Sequence, residues 1–272
     1  MIITGHHGKY NGTKGIGGED AEPVIILMGK ENMRNISIIM AMKSEADPLI
    51  DRFGLRKQTQ SFRPGIPFEV YQGKLEAVQL SLMVSGTDPD YHVDNVATVP
   101  AALMTYLAIE KFAPELVLNP GTAGGMAACG CEIGDVYLGS GRFCFHDRRI
   151  PLPGFDQYGM GLYPAYDTAT MANDLHLKTG TISTGNSLDL LDKDMQIIQE
   201  NQAIIKDMEA AAIAWVCRTL SVPMIAIKAI TDLIDEDSPT ATQFTKNFHQ
   251  AVTNLHSKTI ELLMYLQKED VK

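Results

Sequence analysis

Short apolar runs alternate with longer segments of helical spacing over most of this chain. Residues 36–42 and 223–230 are almost continuously apolar, which is typical of strands that are buried on both faces. Residues 95–112 and 240–267 carry apolar side chains at helical spacing and predict helices. Because strands alternate with helices and no linker divides them, we predict a single α/β domain, with three α/β/α layers and a central twisted mixed sheet.

The middle of the chain predicts shorter elements. Residues 68–71 and 78–84 alternate like the arms of a hairpin whose turn falls near Gly73. A strand over residues 116–119 runs directly into the glycine-rich segment 121–125. Such a segment brings the backbone close to a ligand, as in a phosphate cradle, or is a tight turn from strand to helix. Both interpretations stay open at this point.

The second half of the sheet is predicted from less regular sequence. Residues 133–138 and 141–145 are interpreted as two separate strands. They precede a long loop over residues 146–164, which is dense in proline, glycine and aromatic residues. In the closing helix, we expect Phe244 and Phe248 to lie on the buried face.

The first 33 residues differ from the rest of the chain. They are rich in glycine and polar residues and show no periodicity, so we predict a flexible N-terminal extension over residues 1–33. The folded domain is then predicted to span residues 34–272. The short apolar run over residues 24–28 follows acidic residues, which is the wrong flank for a signal peptide.

The composition argues against several kinds of partner. A net charge of −10 is unfavourable for a nucleic-acid partner, because phosphate binding requires a basic face. No apolar run approaches the ~20 residues that a membrane span needs. The four cysteines lack the paired spacing of metal ligands, so we expect no bound metal. We expect a cytoplasmic location, with a plastid location left open.

Three acidic residues follow predicted strands. Glu45, Glu209 and Asp232 come where apolar runs end, and the carboxyl ends of strands face the crevice where open α/β sheets bind ligands. Each acid also has a purely structural interpretation. Asp232 could cap a helix or form a turn, and a helix dipole would favour Glu209. Glu45 could be an exposed acid in the first turn of a helix.

Six segments, in this order along the chain, resemble the motifs of one known family. They are residues 38–45 (IIMAMKSE), 119–125 (NPGTAGG), 145–151 (FHDRRIP), 183–189 (STGNSLD), 207–214 (DMEAAAIA) and 228–232 (KAITD). Together they resemble the nucleoside phosphorylase/hydrolase superfamily, and within it the plant-type 5'-methylthioadenosine/S-adenosylhomocysteine nucleosidases. The resemblance covers about residues 35–267.

This resemblance implies the function and assembly of the chain. It implies a nucleosidase domain over residues 34–272, which hydrolyses the N-ribosidic bond of 5'-methylthioadenosine to adenine and 5-methylthioribose in methionine salvage. S-adenosylhomocysteine is left open as a second substrate. The family needs neither a metal nor an organic cofactor and forms homodimers.

The resemblance also implies roles for the three acids. Asp232 matches the general acid that donates a proton toward N7 of adenine, for which its pKa must be raised. Glu45 matches the residue that orients and deprotonates the attacking water. Glu209 matches the residue that binds the ribose hydroxyls and faces the developing positive charge.

Seven further residues match substrate-binding positions of the family. Thr122, Met208 and Met42 are expected in the pocket, and Leu188 is expected to form an apolar wall beside the purine. Asp189 is expected to bind the adenine edge through its backbone. Two residues complete the set: Lys228, which would support the acids, and Phe155, which would help to form the pocket for the 5'-alkylthio group.

Two rival functions share this fold. A phosphate-dependent nucleoside phosphorylase would carry an arginine where this chain has Asn119, and an anion site where it has Glu45. A carboxylate at that place repels phosphate and favours water as the nucleophile. A non-catalytic storage or binding relative would have lost the acids, whereas Glu45, Glu209 and Asp232 are all present.

Overall fold

The computed structural model describes residues 34–59 and 62–268 of the chain. The predicted flexible extension over residues 1–33 lies outside the described residues. Seven α-helices occur in the described part: α1 Lys43–Arg52, α2 Thr98–Phe112, α3 Phe155–Met160, α4 Ala169–Asp174, α5 Asp192–Glu200, α6 Ala210–Thr219 and α7 Thr240–Leu266. Ten strands occur there: β1 Arg34–Met40, β2 Arg56–Lys57, β3 Glu69–Leu75, β4 Val78–Val84, β5 Leu116–Gly125, β6 Val136–Phe145, β7 Tyr163–Pro164, β8 Lys178–Thr184, β9 Ile205–Asp207 and β10 Met224–Leu233.

The ten strands form one mixed sheet. Its order is β10-β6-β8-β9-β5-β1-β4-β3-β2, with β7 paired to β6. At its centre, β1 runs parallel to β4 and β5, and β10 also runs parallel to β5. Strands in a parallel sheet are covered on both faces, which explains why β1 and β10 are almost continuously apolar in sequence.

Part of the sheet closes on itself. Strand β5 pairs with β10 on one side and with the tip of β9 on the other. The path from β10 through β6, β8 and β9 therefore returns to β5 as a barrel-like ring. This closure brings β5, β9 and β10 side by side at the end of the sheet where the glycine-rich segment lies.

Helices cover both faces of the sheet. Helices α2 and α6 pack on one core, to which Met104 and Ile213 belong. Helices α1 and α7 pack on a second core, which includes Leu49 and Leu262. The predicted three-layer domain with a central mixed sheet is thereby confirmed. Among the described residues, none of the helices combines the length and the apolar character that would let it cross a membrane.

The glycine-rich segment is not the turn that was predicted from its sequence. Strand β5 continues through Gly121 to Gly125, paired with β10 and then with β9. The missing side chain at Gly124 makes room for its neighbours. A Cβ there would lie 2.5 Å from Cγ2 of Ile234 and 2.7 Å from Oδ2 of Asp232. The glycine therefore allows a carboxylate to lie against the strand.

Two other strand predictions were wrong in their boundaries. The two strands predicted over residues 133–138 and 141–145 are the single strand β6, whose register shifts between Gly139 and Phe143. Glycines in a strand often mark such a bulge, which the sequence pattern showed as a break. The turn of the hairpin is not near Gly73, which lies inside the ladder opposite Leu80. It is at Glu76, which has a φ of 48°.

Three smaller features also differ from the sequence prediction. The long loop over residues 146–164 contains helix α3 and the short strand β7. The helix predicted from residue 95 begins at Thr98. On α7, Phe244 and Phe248 are half-buried instead of buried, because this end of the helix borders an open cavity.

Candidate active site

A cavity of about 230 Å³ lies at the end of the sheet where β5, β9 and β10 meet. The carboxyl ends of these strands and the beginnings of α1 and α6 form its wall, which is the expected place for a ligand in an α/β sheet. Eight of the predicted site residues line it: Met42, Glu45, Thr122, Leu188, Met208, Glu209, Lys228 and Asp232. The cavity is therefore the candidate active site.

Two predicted site residues are not among those that line the cavity. Phe155 begins α3, is 54% exposed and contacts Tyr158 edge-on, with 6.4 Å between the ring centroids. Asp189 is exposed and follows Leu188, which does line the cavity. Within this single chain, the 5'-alkylthio pocket predicted around Phe155 is not formed.

Glu45 is buried in the first turn of α1 and binds the glycine-rich strand. Its Oε1 accepts hydrogen bonds from the backbone N–H of Thr122, at 2.8 Å, and from Oγ1 of Thr122, at 2.7 Å. Burial raises the pKa of Glu45, while the hydrogen bonds from Thr122 and the charge of Lys228 offset part of this. Glu45 is therefore in the first turn of α1, but it is not the exposed surface acid of the alternative interpretation.

Lys228 and Asp207 form an ion pair in the wall of the cavity. Lys228 Nζ lies 2.9 Å from Oδ2 of Asp207, and both side chains are almost fully buried. Burial alone would lower the pKa of Lys228, but the carboxylates of Asp207, Glu209 and Glu45 outweigh it and raise that pKa. The lysine therefore stays charged and compensates the surrounding acids.

Asp207 was not predicted as a site residue, although its motif was recognised. Besides Lys228, it accepts hydrogen bonds from Oγ1 of Thr184, at 2.6 Å, and from the backbone N–H of Ala210, at 2.9 Å. The second bond satisfies an N–H group at the start of α6. An acid shortly before a helix was the available signal for this capping contact.

Glu209 is thereby free to face the cavity. It precedes α6 but makes no side-chain capping bond; its Oε1 accepts a hydrogen bond from the backbone N–H of Ala97, at 3.0 Å. Burial raises the pKa of Glu209 to about 7, helped by Asp207 and opposed by Lys228 and the Ala97 N–H. Glu209 does stand directly before α6, as the helix-dipole alternative assumed, but the side chain that caps the helix is that of Asp207.

Asp232 lies within β10, opposite Gly124 on β5. Its Oδ1 accepts a hydrogen bond from Oγ1 of Thr231, at 2.7 Å. Burial raises the pKa of Asp232, and the Thr231 hydroxyl and the charge of Lys206 offset part of the rise. Since the residue is inside a strand, it is neither a helix cap nor a turn.

Three further polar residues that sequence analysis did not assign to the site line the cavity: Lys206, Asn119 and Thr231. Lys206 is buried on β9, and its Nζ donates to the carbonyl oxygens of Ser187, at 2.8 Å, and Leu188, at 2.9 Å. Asn119 donates from Nδ2 to the carbonyl of Ile39, at 2.9 Å. A lysine directly after two apolar strand residues was the signal that could have identified Lys206.

The arrangement supports acid–base chemistry. Asp232 has a raised pKa and can carry a proton at one end of the cavity, while Glu45 and Glu209 lie in a compensated cluster at the other. Among the described residues, no group of three or more histidine, cysteine or acidic side chains is arranged to hold a metal ion.

Comparison with known proteins agrees with this geometry. The sequence profile described as "Phosphorylase superfamily" matches residues 35–263. The 5'-methylthioadenosine nucleosidase of Arabidopsis thaliana is 39% identical over 256 residues, which are 93% of this chain and 96% of that protein. The 5'-methylthioadenosine/S-adenosylhomocysteine nucleosidase of the same plant is 37% identical over 244 residues, 88% of this chain and 96% of that one.

A solved structure shows the same likeness in three dimensions. The apo form of the Arabidopsis thaliana 5'-methylthioadenosine nucleosidase superposes with a TM-score of 0.85 at 38% identity. The match covers 88% of this chain and 98% of that one. With motifs, profile, sequence identity and fold in agreement, this chain belongs to the phosphorylase superfamily and, within it, to the 5'-methylthioadenosine nucleosidase family.

Proposed function

We propose that this chain hydrolyses the N-ribosidic bond of 5'-methylthioadenosine and releases adenine and 5-methylthioribose. The names of the two Arabidopsis thaliana relatives support this substrate. The observation that carries the choice of hydrolysis is the position of Glu45 on Thr122. The backbone N–H and the hydroxyl of Thr122, which could otherwise bind an oxyanion, both donate to this carboxylate.

That contact disfavours phosphate as the nucleophile. A phosphate dianion would have to displace Glu45 from two hydrogen bonds and lie next to its negative charge. Asn119, where a phosphorylase would carry an arginine, is bound to the backbone of β1 and offers no positive charge. A water molecule has neither problem, and a buried carboxylate with a raised pKa is suited to take its proton.

In this proposal, Asp232 is the general acid. Adenine is a poor leaving group unless a ring nitrogen is protonated as the bond breaks. Burial raises the pKa of Asp232, which keeps the acid protonated to a higher pH than an exposed aspartate. Proton donation of this kind contributes roughly 10²–10⁴-fold to the rate.

Glu209 and Lys228 are assigned to the ribose end. Glu209 is proposed to bind the ribose hydroxyls, and its carboxylate would face the positive charge that develops on the sugar. In this structure its Oε1 accepts a hydrogen bond from the N–H of Ala97. A ribose hydroxyl would replace this donor or bind the carboxylate beside it. Lys228 is proposed to hold Asp207 and to compensate Glu45 and Glu209, so that several acids can coexist in one cavity.

The remaining residues are proposed to bind the nucleoside. Leu188 would lie beside the purine, with Asp189 binding the adenine edge through its backbone. Met208, Thr122 and Met42 line the same cavity.

The 5' end of the substrate requires a separate proposal. Phe155 lies outside the cavity of this chain, so we assign it to the 5'-alkylthio pocket of a neighbouring subunit.

A direct assay tests the function. The purified chain is incubated with 5'-methylthioadenosine, with and without inorganic phosphate, and adenine and the sugar are quantified by chromatography. We expect equal adenine release in both reactions and free 5-methylthioribose as the sugar. Release that requires phosphate, with a phosphorylated sugar, would identify a phosphorylase. No release in either reaction would favour a non-catalytic relative.

S-adenosylhomocysteine is the second candidate substrate. A relative with 37% identity carries both substrates in its name, whereas the relative with 39% identity carries one. The same assay with S-adenosylhomocysteine measures the ratio of the two activities.

We further propose that the protein is a homodimer, with residues 34–272 as the nucleosidase domain. On α2, Val99, Leu103 and Tyr106 are spaced at i, i+4 and i+7 and are 43–76% exposed. This stripe continues to Trp215 on the neighbouring helix α6. A row of exposed apolar side chains on packed helices is typical of a protein interface.

Light scattering tests the dimer. Leu103→Glu places a charge in the stripe and should convert the dimer to a monomer, whereas Thr253→Glu on the exposed side of α7 should leave it unchanged. A wild-type protein that is monomeric would contradict the proposal.

We also propose a cytoplasmic location, which the four free cysteines of the described chain support, because reducing compartments keep thiols unpaired.

A further inference from the structure

A lysine and the proposed general acid face each other across a glycine. On three adjacent strands, Asp232 of β10 pairs with Gly124 of β5, and Gly124 pairs with Lys206 of β9. Directly paired residues in a sheet project their side chains from the same face. The register of β10 shifts just before Asp232, but its carboxyl still lies over Gly124, where a Cβ would approach Oδ2 to 2.7 Å. Because Gly124 has no side chain, nothing from β5 separates the ammonium group from the carboxyl group.

The same lysine holds a segment that borders the cavity. Its Nζ donates to the carbonyl oxygens of Ser187 and Leu188, and the side chain is only 5% exposed. The peptide unit is planar and trans, so fixing the carbonyl of Leu188 also fixes the N–H of Asp189, which points the opposite way. That N–H is the backbone group proposed to bind the adenine edge.

We propose that Lys206 is a positioning residue, which anchors the backbone of residues 187–189 at the base end of the cavity and places a positive charge opposite Asp232. This inference rests on the proposed function, because only in a nucleosidase do the backbone contacts of Lys206 serve base binding and its charge serve proton donation by Asp232. The same side chain therefore affects both the position of the base and its protonation by Asp232.

The charge of Lys206 opposes the effect of burial on Asp232. A nearby cation stabilises the ionised carboxylate, so it keeps the pKa of Asp232 from rising as far as burial would take it. The other charged groups facing this region are Glu45 of α1, Asp207 of β9, Glu209 before α6, Lys228 of β10, Asp189 of the adjoining loop and Asp194 of α5. Asp207 compensates Lys228, which leaves Lys206 as the cation whose charge acts on Asp232.

Three substitutions separate the charge from the hydrogen bonds. Lys206→Arg keeps both the charge and the donors, Lys206→Gln keeps donors without charge, and Lys206→Met keeps length with neither. We expect the pKa of Asp232 to rise by roughly half a pH unit to one unit in Lys206→Gln and Lys206→Met, and to stay in place in Lys206→Arg. We expect KM to rise about tenfold in Lys206→Met and less in the other two.

The pKa is measured by NMR on protein labelled with carbon-13 at the aspartate carboxyl groups, with the Asp232 signal assigned by its loss in Asp232→Asn. The alkaline limb of the pH–rate profile should move with that pKa. Lys193→Met on α5, an exposed site with the same change in net charge, should alter neither quantity. If Lys206→Met does not fold, the comparison of Lys206→Gln with Lys206→Arg still decides the effect of the charge.

Two results would overturn the inference. One is a pKa of Asp232 that is the same in Lys206→Gln and in the wild type. The other is a Lys206→Met variant that folds and has an unchanged KM. A residue with a merely structural role would lower stability and leave the pKa in place. Absence of nucleosidase activity in the wild type would overturn the proposed function instead, while the titration of Asp232 would still decide the charge effect.

Discussion

The acids at the two ends of the cavity differ in how their charge is compensated. At the base end, Asp232 has the hydroxyl of Thr231 and the ammonium of Lys206 as its polar neighbours. At the ribose end, the carboxylates of Glu45, Asp207 and Glu209 surround Lys228. The first arrangement controls the protonation of one carboxyl group, whereas the second distributes one positive charge among several acids. A substitution at the base end should therefore affect mainly chemistry, and one at the ribose end should also affect folding.

The largest effect is expected from Lys228→Met. It removes the cation from the ribose-end cluster and leaves the buried carboxylate of Asp207 uncompensated, with Glu45 and Glu209 nearby. Breaking a buried pair in this way costs about 3–5 kcal/mol of unfolding free energy, and activity should fall with it. Chemical denaturation measures the loss. Lys258→Met, at a half-exposed pair with Glu261, should cost less than ~1 kcal/mol. Equal losses at the two sites would mean that the cluster does not depend on Lys228.

Asp232→Asn should separate chemistry from folding. An amide cannot donate the proton that the base needs, so we expect kcat to fall by roughly 10²–10⁴-fold with little change in unfolding free energy. Steady-state assay of adenine release measures it. Asp235→Asn is the matched control, because Asp235 is exposed and accepts hydrogen bonds from the backbone of Ala127 and Ala128, away from the base end of the cavity. Near-normal turnover in Asp232→Asn would remove the general-acid assignment.

The sequence predicted the acids of both ends and Lys228, but it did not predict Asp207, Lys206 or the contacts that join these residues to the acids. Glu45, Glu209 and Asp232 come where apolar runs end in the sequence, but that local feature left a structural alternative open for each, and the family resemblance assigned their roles. The pair of Asp207 with Lys228 joins residues 21 positions apart in different strands, and it depends on how β9 and β10 are placed around β5. Nothing in the local pattern carries that information.

The same limit explains the errors in the predicted fold. The glycines of segment 121–125 suggested a turn, since glycine is most often needed where the backbone bends. In the structure they lie in a strand that pairs with β10 and β9, and the glycines are needed because nearby side chains, among them that of Asp232, occupy the space that a Cβ would take. Lys206 was missed for a related reason: a lysine beside two apolar residues has no visible role until the carbonyls of residues 187 and 188 fold back onto it.

Glu209→Gln should change the pH dependence of stability. Burial raises the pKa of Glu209 from 4.5 to about 7, so between these values the folded protein binds more protons than the unfolded chain. The stability contributed by this group therefore falls as pH rises through that window. A glutamine does not ionise, so Glu209→Gln should gain about 1–2 kcal/mol over the wild type between pH 5 and pH 8.

Thermal unfolding at the two pH values measures this gain, which should appear as a few degrees in Tm. Glu110→Gln, at an exposed position of α2, provides the control and should show no such difference. A wild-type protein that gains stability relative to Glu209→Gln as pH rises would contradict a raised pKa at this position.

The smallest effect is expected at the base end, from Thr231→Val. The substitution keeps the shape of the side chain but removes the hydroxyl that donates to Asp232. That hydrogen bond favours the ionised carboxylate, so its loss should raise the pKa of Asp232 further and keep the acid protonated to higher pH. We expect the alkaline limb of the pH–rate profile to move upward by about half a pH unit. Thr105→Val makes the same change at a buried hydroxyl of α2 that donates to the backbone of Ala101, and it should leave the profile in place. A downward shift in Thr231→Val would show that the carboxyl of Asp232 is not the group whose ionisation ends activity at high pH.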